Sequence, residues 1–173
     1  VQCRNVSGEK NGNTVAIVYE GSRAGKKGIY ANVSFDGGLS FLAPRKIAEF
    51  VSLINNMPSV AISDSGEIRV AWYYISEDGT NGSMFQSFSK DLGVTWSVPE
   101  KITFGLQMEL LPVIKFDRRN VLHLFFTAYR GPIFTLFHTT ADVKDGKFAE
   151  PQPVAEMEGD VKGSFFPAVK FTG

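Results

Sequence analysis

Apolar and polar residues along this chain alternate in short bursts, and no stretch sustains the 3.6-residue period of a helix. The bursts are β-branched and aromatic, as in Val15-Ala16-Ile17-Val18-Tyr19 and Val70-Ala71-Trp72-Tyr73-Tyr74, which suits a half-buried pleated surface. The middle of the chain predicts four strands in succession. The first covers 58–63 and runs into the turn Asp64-Ser65-Gly66-Glu67, whose residues have hairpin-turn chemistry. The second covers 68–76, the third about 83–89, and a fourth follows Pro99, where a missing N–H fits an outer edge.

This four-strand pattern repeats. At an offset of 55 residues, Val15–Tyr19 falls on Val70–Tyr74, Ile29-Tyr30 on Met84-Phe85, Pro44 on Pro99 and Ile47 on Ile102. A looser third copy matches Pro112–Phe116 to Pro58–Ile62, Leu122–Phe126 to Ile68–Trp72, and Gly131–Phe134 to Gly82–Phe85. Phe166-Pro167-Ala168-Val169-Lys170-Phe171 then repeats the opening strand of a further unit. Self-similarity at such a period marks stacked units that bury their faces against one another. The expected units are 1–55, 56–109 and 110–164, with an extra strand in 165–173. In the first unit the opening strand falls in 1–7, with Cys3 where later copies have proline.

Between the third and fourth strands lies a recurring phrase, Ser-x-Asp-x-Gly-x-Ser/Thr-aromatic. It is carried by Ser34, Asp36, Gly38 and Phe41, and again by Ser89, Asp91, Gly93 and Trp96. An aspartate in a turn accepts hydrogen bonds from the following residues, glycine supplies positive φ, and the aromatic is expected to tuck beneath the hairpin. These residues are structural. In the third unit the phrase has decayed to 140–148, with Asp142 or Asp145 as its nominal aspartate.

The phrase resembles the Asp-box of the sialidase (BNR-repeat) superfamily. The resemblance implies an all-β fold, a β-propeller of four-stranded antiparallel blades, with three blades plus one strand in this chain, within a six-bladed ring. Three blades leave open sheet faces. The expected completion is therefore self-association or the remainder of a longer chain, with the last strand pairing with the first blade of this or a partner chain, beside the strand at 13–19.

Composition narrows the partners. The formal net charge is zero, which gives no electrostatic case for nucleic acid. No apolar run is long enough to span a bilayer as a helix. Cys3 is the single cysteine, so an intrachain disulfide is impossible. Sequons at Asn5, Asn32 and Asn81 point to an extracellular or cell-surface setting. No cofactor is expected, and no metal: His123 and His138 lack a third ligand at metal spacing and are expected to pack.

In a propeller the connectors between second and third strands, and between blades, share one face around the central channel, where sialidase-like proteins bind sugar. Here these are 20–28, 75–82 and 127–131, with 50–57, 104–111 and 157–166 between units. From them come the candidate substrate-binding residues Arg23, Arg130, Glu20, Asn55 and Gln107, and the candidate catalytic residues Glu109 and Tyr129. A sialidase clamps a carboxylate with arginines, attacks with a Tyr–Glu pair and protonates with an acid. Arg23 after Glu20 matches the Glu/Arg segment of the first sialidase blade, but Ala24-Gly25-Lys26-Lys27-Gly28 lacks the acid that follows it there. Tyr129-Arg130-Gly131-Pro132 stands at the wrong place for the family's Arg-Ile-Pro motif. Two functions stay open: an exo-glycosidase acting on sialic acid when the ring is complete, or a non-catalytic propeller that binds glycans or proteins.

Overall fold

The computed structural model describes residues 2–50, 56–141, 146–157 and 169. Among them are twelve strands and no helix, in three four-stranded antiparallel sheets. The first sheet holds β1 (Gln2–Asn11), β2 (Thr14–Arg23), β3 (Lys26–Ser34) and β4 (Arg45–Phe50). The middle sheet holds β5 (Ser59–Ile62), β6 (Ile68–Ile75), β7 (Gly82–Ser89) and β8 (Glu100–Ile102). The third holds β9 (Gln107–Phe116), β10 (Leu122–Arg130), β11 (Ile133–Ala141) and β12 (Gln152–Met157). Each strand pairs with its neighbour in sequence, as expected for propeller blades.

The sheets stack face to face through two apolar seams. The first joins Val18, Ile29 and Ala31 to Val60, Val70 and Trp72; the second joins Ala71, Tyr73 and Met84 to Leu122, Leu124 and Phe126. Burial patterns show where neighbours sit. In β6 every residue from Ile68 to Tyr73 is buried, because both faces are covered. In β11 burial alternates from Thr135 to Ala141, because one face packs on the middle sheet and the other does not.

The first strands β1, β5 and β9 neighbour one another about a common axis. β1 and β9 carry, and the run leading into β5 shares, the same irregularity, a bulge with a left-handed second residue. The four-residue runs are Arg4-Asn5-Val6-Ser7, Asn56-Met57-Pro58-Ser59 and Leu110-Leu111-Pro112-Val113. Asn5, Met57 and Leu111 have φ of 51°, 35° and 55°. The register slips at the first and third of these, and in the middle sheet Tyr73 N donates to Asn56 O at 3.1 Å across the slip. Bulges of this kind re-aim side chains. Val6 therefore occupies the proline position of the first unit, not Cys3, since the bulge rather than the chain end sets the alignment.

The last strand was expected to pair beside 13–19. In the structure β2 already has β1 on one edge and β3 on the other, so that edge is taken within this chain. Residues 166–171 lie outside the described residues except for Val169, which lines the axial cavity beside Asn5 and Lys115.

Both aspartate turns adopt one network. Ser34 Oγ and Ser89 Oγ each donate to the aspartate Oδ1 at 2.7 Å and accept from Gly38 N and Gly93 N at 2.9 and 2.7 Å. Ser40 N and Thr95 N reach the same Oδ1 at 2.9 Å. Beyond each turn Leu42 N bonds Val33 O and Ser97 N bonds Phe88 O, both at 2.8 Å. Ala149 N to Thr140 O, at 2.9 Å, repeats that bond in the third sheet, although 142–145 lie outside the described residues. The aromatics differ. Trp96 packs into the first seam, where a Cβ on Gly93 would meet Val33 Cγ2 at 2.5 Å. Phe41 stays 40% exposed, contrary to expectation, because no described sheet covers its side of the first blade.

At the opposite ends of the sheets from the β2–β3 hairpin, side chains tie the turns together. Asn11 Nδ2 donates to Asp64 Oδ1 at 2.9 Å, and Asp64 N donates to Asn120 Oδ1 at 2.8 Å.

Candidate functional site

The three bulges wall an axial cavity of about 460 Å³, within the range of about 300–1,000 Å³ usual for small-molecule sites. Polar groups on its wall include the Asn5 amide, the Ser7 and Ser59 hydroxyls and Lys115. Ser59 Oγ accepts from Ile114 N at 3.1 Å, tying β5 to β9. Lys115 Nζ pairs with Glu9 Oε2, which links β9 to β1.

Glu20 does not sit in a connector. It is a residue of β2, fully buried at the first seam, and all its contacts point toward the axis. Its Oε1 accepts the backbone N–H of Asn56, and its Oε2 accepts Asn5 Nδ2 at 3.2 Å and lies 3.4 Å from Arg4 Nε. Asn5 thus touches both the cavity and a buried carboxylate. The Asn56 side chain is 1% exposed, and its amide oxygen and nitrogen have no hydrogen-bond partner among the described residues, an arrangement rare in folded proteins. Tyr73, 4% exposed, has its hydroxyl pKa pushed up to about 12, first by burial and then by the Glu20 charge.

Glu109 also lies in a strand. It is buried in β9, two residues before Leu111, and its Oε1 accepts Phe104 N at 2.7 Å and Leu106 N at 3.1 Å. It therefore holds the connection between the middle and third sheets, as Glu20 holds that between the first and middle. Gln107 is the register partner of Tyr129. Tyr129 is 38% exposed and packs on Phe134 with ring centroids 5.1 Å apart. Arg130 ends β10 beside it, whereas Arg23 ends β2 at the exposed β2–β3 hairpin of another sheet. Asn55 lies outside the described residues.

The candidates thus divide into buried seam carboxylates, Glu20 and Glu109, and hairpin-end residues, Arg23, Tyr129 and Arg130. Arg4 and Asn5 escaped the sequence reading as site residues, whereas Asn56 falls in the 50–57 connector it placed on the channel face. The first bulge lacks the proline that marks the later two, so the signal that would have aligned Asn5 with Met57 and Leu111 was missing.

His123 Nδ1 lies 2.9 Å from His138 Nε2, and His123 Nε2 lies 3.6 Å from Asp117 Oδ2. Phe125 stacks on His138 with centroids 4.5 Å apart. Among the described residues no group of three or more His, Cys, Asp and Glu side chains is placed to hold a metal ion. Nor is any helix long and apolar enough to cross a membrane.

No family model and no curated protein matches this chain. Solved structures do. A protein of unknown function from Dyadobacter fermentans superposes with a TM-score of 0.63 at 15% identity, over 87% of this chain and 50% of its own. The α-L-arabinofuranosidase of Fusarium graminearum, bound to an iminosugar inhibitor, gives 0.63 at 15% identity, over 90% and 49%. A sialidase from Streptococcus pneumoniae gives 0.55 at 15% identity, over 83% and 22%. The chain spans about half the length of the first two. Three four-stranded antiparallel sheets about one axis, superposing on glycosidases of this architecture, make the chain a segment of a β-propeller.

Proposed function

We propose that this chain is part of a sialidase-like, Asp-box propeller that recognises carbohydrate at the axial cavity. The observation that carries this is Asn5, which lines the cavity and donates to buried Glu20. A wall with a few fixed polar groups among apolar side chains is the usual make-up of a small-molecule site. The Asn56 amide beside Glu20, without a partner among the described residues, supports it, as does carbohydrate chemistry among the structural neighbours.

Binding without hydrolysis is favoured over an exo-glycosidase by what the two carboxylates do. Glu20 and Glu109 both accept backbone N–H groups of inter-sheet connections, which is a scaffolding task. Were the propeller catalytic, Glu109 would be the acid and Tyr129 the nucleophile, with Arg23, Arg130 and Gln107 meeting substrate. The test is isothermal titration against a glycan panel, alongside fluorogenic sialoside and arabinofuranoside assays. Saturable binding lost in Asn5→Ala, with the circular dichroism spectrum unchanged, is the expected result. Turnover abolished by Glu109→Gln would establish the enzyme instead. No binding to any glycan would overturn the proposal.

A further inference from the structure

We infer that the wall these three sheets give to the axial cavity selects an uncharged sugar, an inference that rests on the carbohydrate function proposed above. Among the described residues, the cations at and beside this wall are matched by carboxylates of the chain itself. Lys115, which lines the cavity, is paired with Glu9 of β1. Arg4, next to the lining residue Asn5, lies against Glu20. Elsewhere in the chain Arg69 is buried with Glu67, and Arg119 lies on Asp117.

A sugar carboxylate held in a protein needs a cation, best an arginine offering two parallel N–H groups, to replace its lost water. At this wall it would have to displace Glu9 from Lys115 or Glu20 from Arg4. Glu20 is not free to swing away from Arg4, because its other oxygen accepts the Asn56 backbone N–H that anchors the next sheet. Burial, moreover, lowers the Lys115 pKa, so the site gives its ammonium less support than water does. The remaining wall suits a neutral ring. The Asn5 amide and the Ser7 and Ser59 hydroxyls face sugar hydroxyl chemistry, and Val6, Met57, Pro58, Leu111, Pro112 and Val113 offer apolar surface to the C–H faces.

The experiment titrates matched pairs into the chain: cellobiose against cellobiouronic acid, and lactose against sialyllactose, at low and at physiological ionic strength. Within each pair the neutral member is expected to bind at least tenfold tighter, with little salt dependence. Preference for the acidic members, weakening with salt, overturns the inference and leaves carbohydrate binding intact. Failure of both members of both pairs overturns the carbohydrate function itself. Glu9→Gln unpairs Lys115, and an increased affinity for the acids is the expected sign that pairing sets the selectivity. An unchanged or lower affinity for them overturns that cause.

Discussion

The backbone N–H of Asn56 donates to the Oε1 of Glu20 across the seam between the first and middle sheets. A side chain near the end of one sheet thereby fixes where the next begins. Glu20→Ala removes the acceptor for Asn56, Asn5 and Arg4 together, and a loss of about 1–3 kcal/mol is expected for the stranded donors. Glu20→Gln keeps an acceptor oxygen and should lose less. Urea denaturation of both variants measures the difference; equal losses would deny the anchoring role.

The aspartate turns predict acid sensitivity. Hydrogen bonds from the Ser40 hydroxyl and backbone N–H, then from Ser34, hold the Asp36 carboxyl well below the usual carboxylate range. The same set from Thr95 and Ser89 lowers Asp91 to about 2. A depressed folded pKa contributes stability that is complete above the unfolded value, about 3.9, and is lost as pH falls through the folded one. Midpoints of thermal unfolding should therefore fall between about pH 4 and 2, and Asp91→Asn should flatten that slope while lowering stability at neutral pH.

Arg69 and Glu67 are both buried, with Arg69 also over the Phe88 ring and bonded to Gln86. Arg69→Met leaves the Glu67 charge without its partner, and breaking such a pair costs about 3–5 kcal/mol. The double variant Glu67→Gln with Arg69→Met should recover most of this. Chemical denaturation of the three proteins tests it, and an additive result would deny coupling.

Burial, and then the neighbouring charge of His123, lower the pKa of His138. Lys115, Asp117 and Phe125 surround this pair on the third sheet. The fold favours neutral His138, so the unfolded chain takes the proton first. Stability should be complete above about pH 6.5 and decline below it, levelling off once His138 titrates in the folded state. His138→Gln should remove this step, followed as unfolding midpoint against pH from 5 to 8.

Repeats made the architecture legible, because each blade reuses one spacing of strand, turn and aromatic. Ser34–Phe41 and Ser89–Trp96 fold as their matching residues imply, down to the same donors on the same oxygens. Residues whose surroundings come from another sheet were harder to place. Glu20 reads as a loop carboxylate in sequence, and its burial depends on Asn56, 36 residues away. Phe41 and Trp96 occupy equivalent positions, yet among the described residues only Trp96 has a sheet to pack against. Arg4 and Asn5 became visible once the bulge could be seen in three strands at once.

The string from Asn11 to Asp64 to Asn120 fastens the blades at one end of the stack, through side chains of short turns. At the far end the ties run through buried Glu20 and Glu109, inward of the hairpin tips. Lengthening a hairpin such as the one after Arg23 leaves every one of these ties untouched, whereas altering Asp64 loosens both neighbours together. Sequence variation in the hairpin tips of the far rim is therefore free to accumulate at little risk to how the blades hold together.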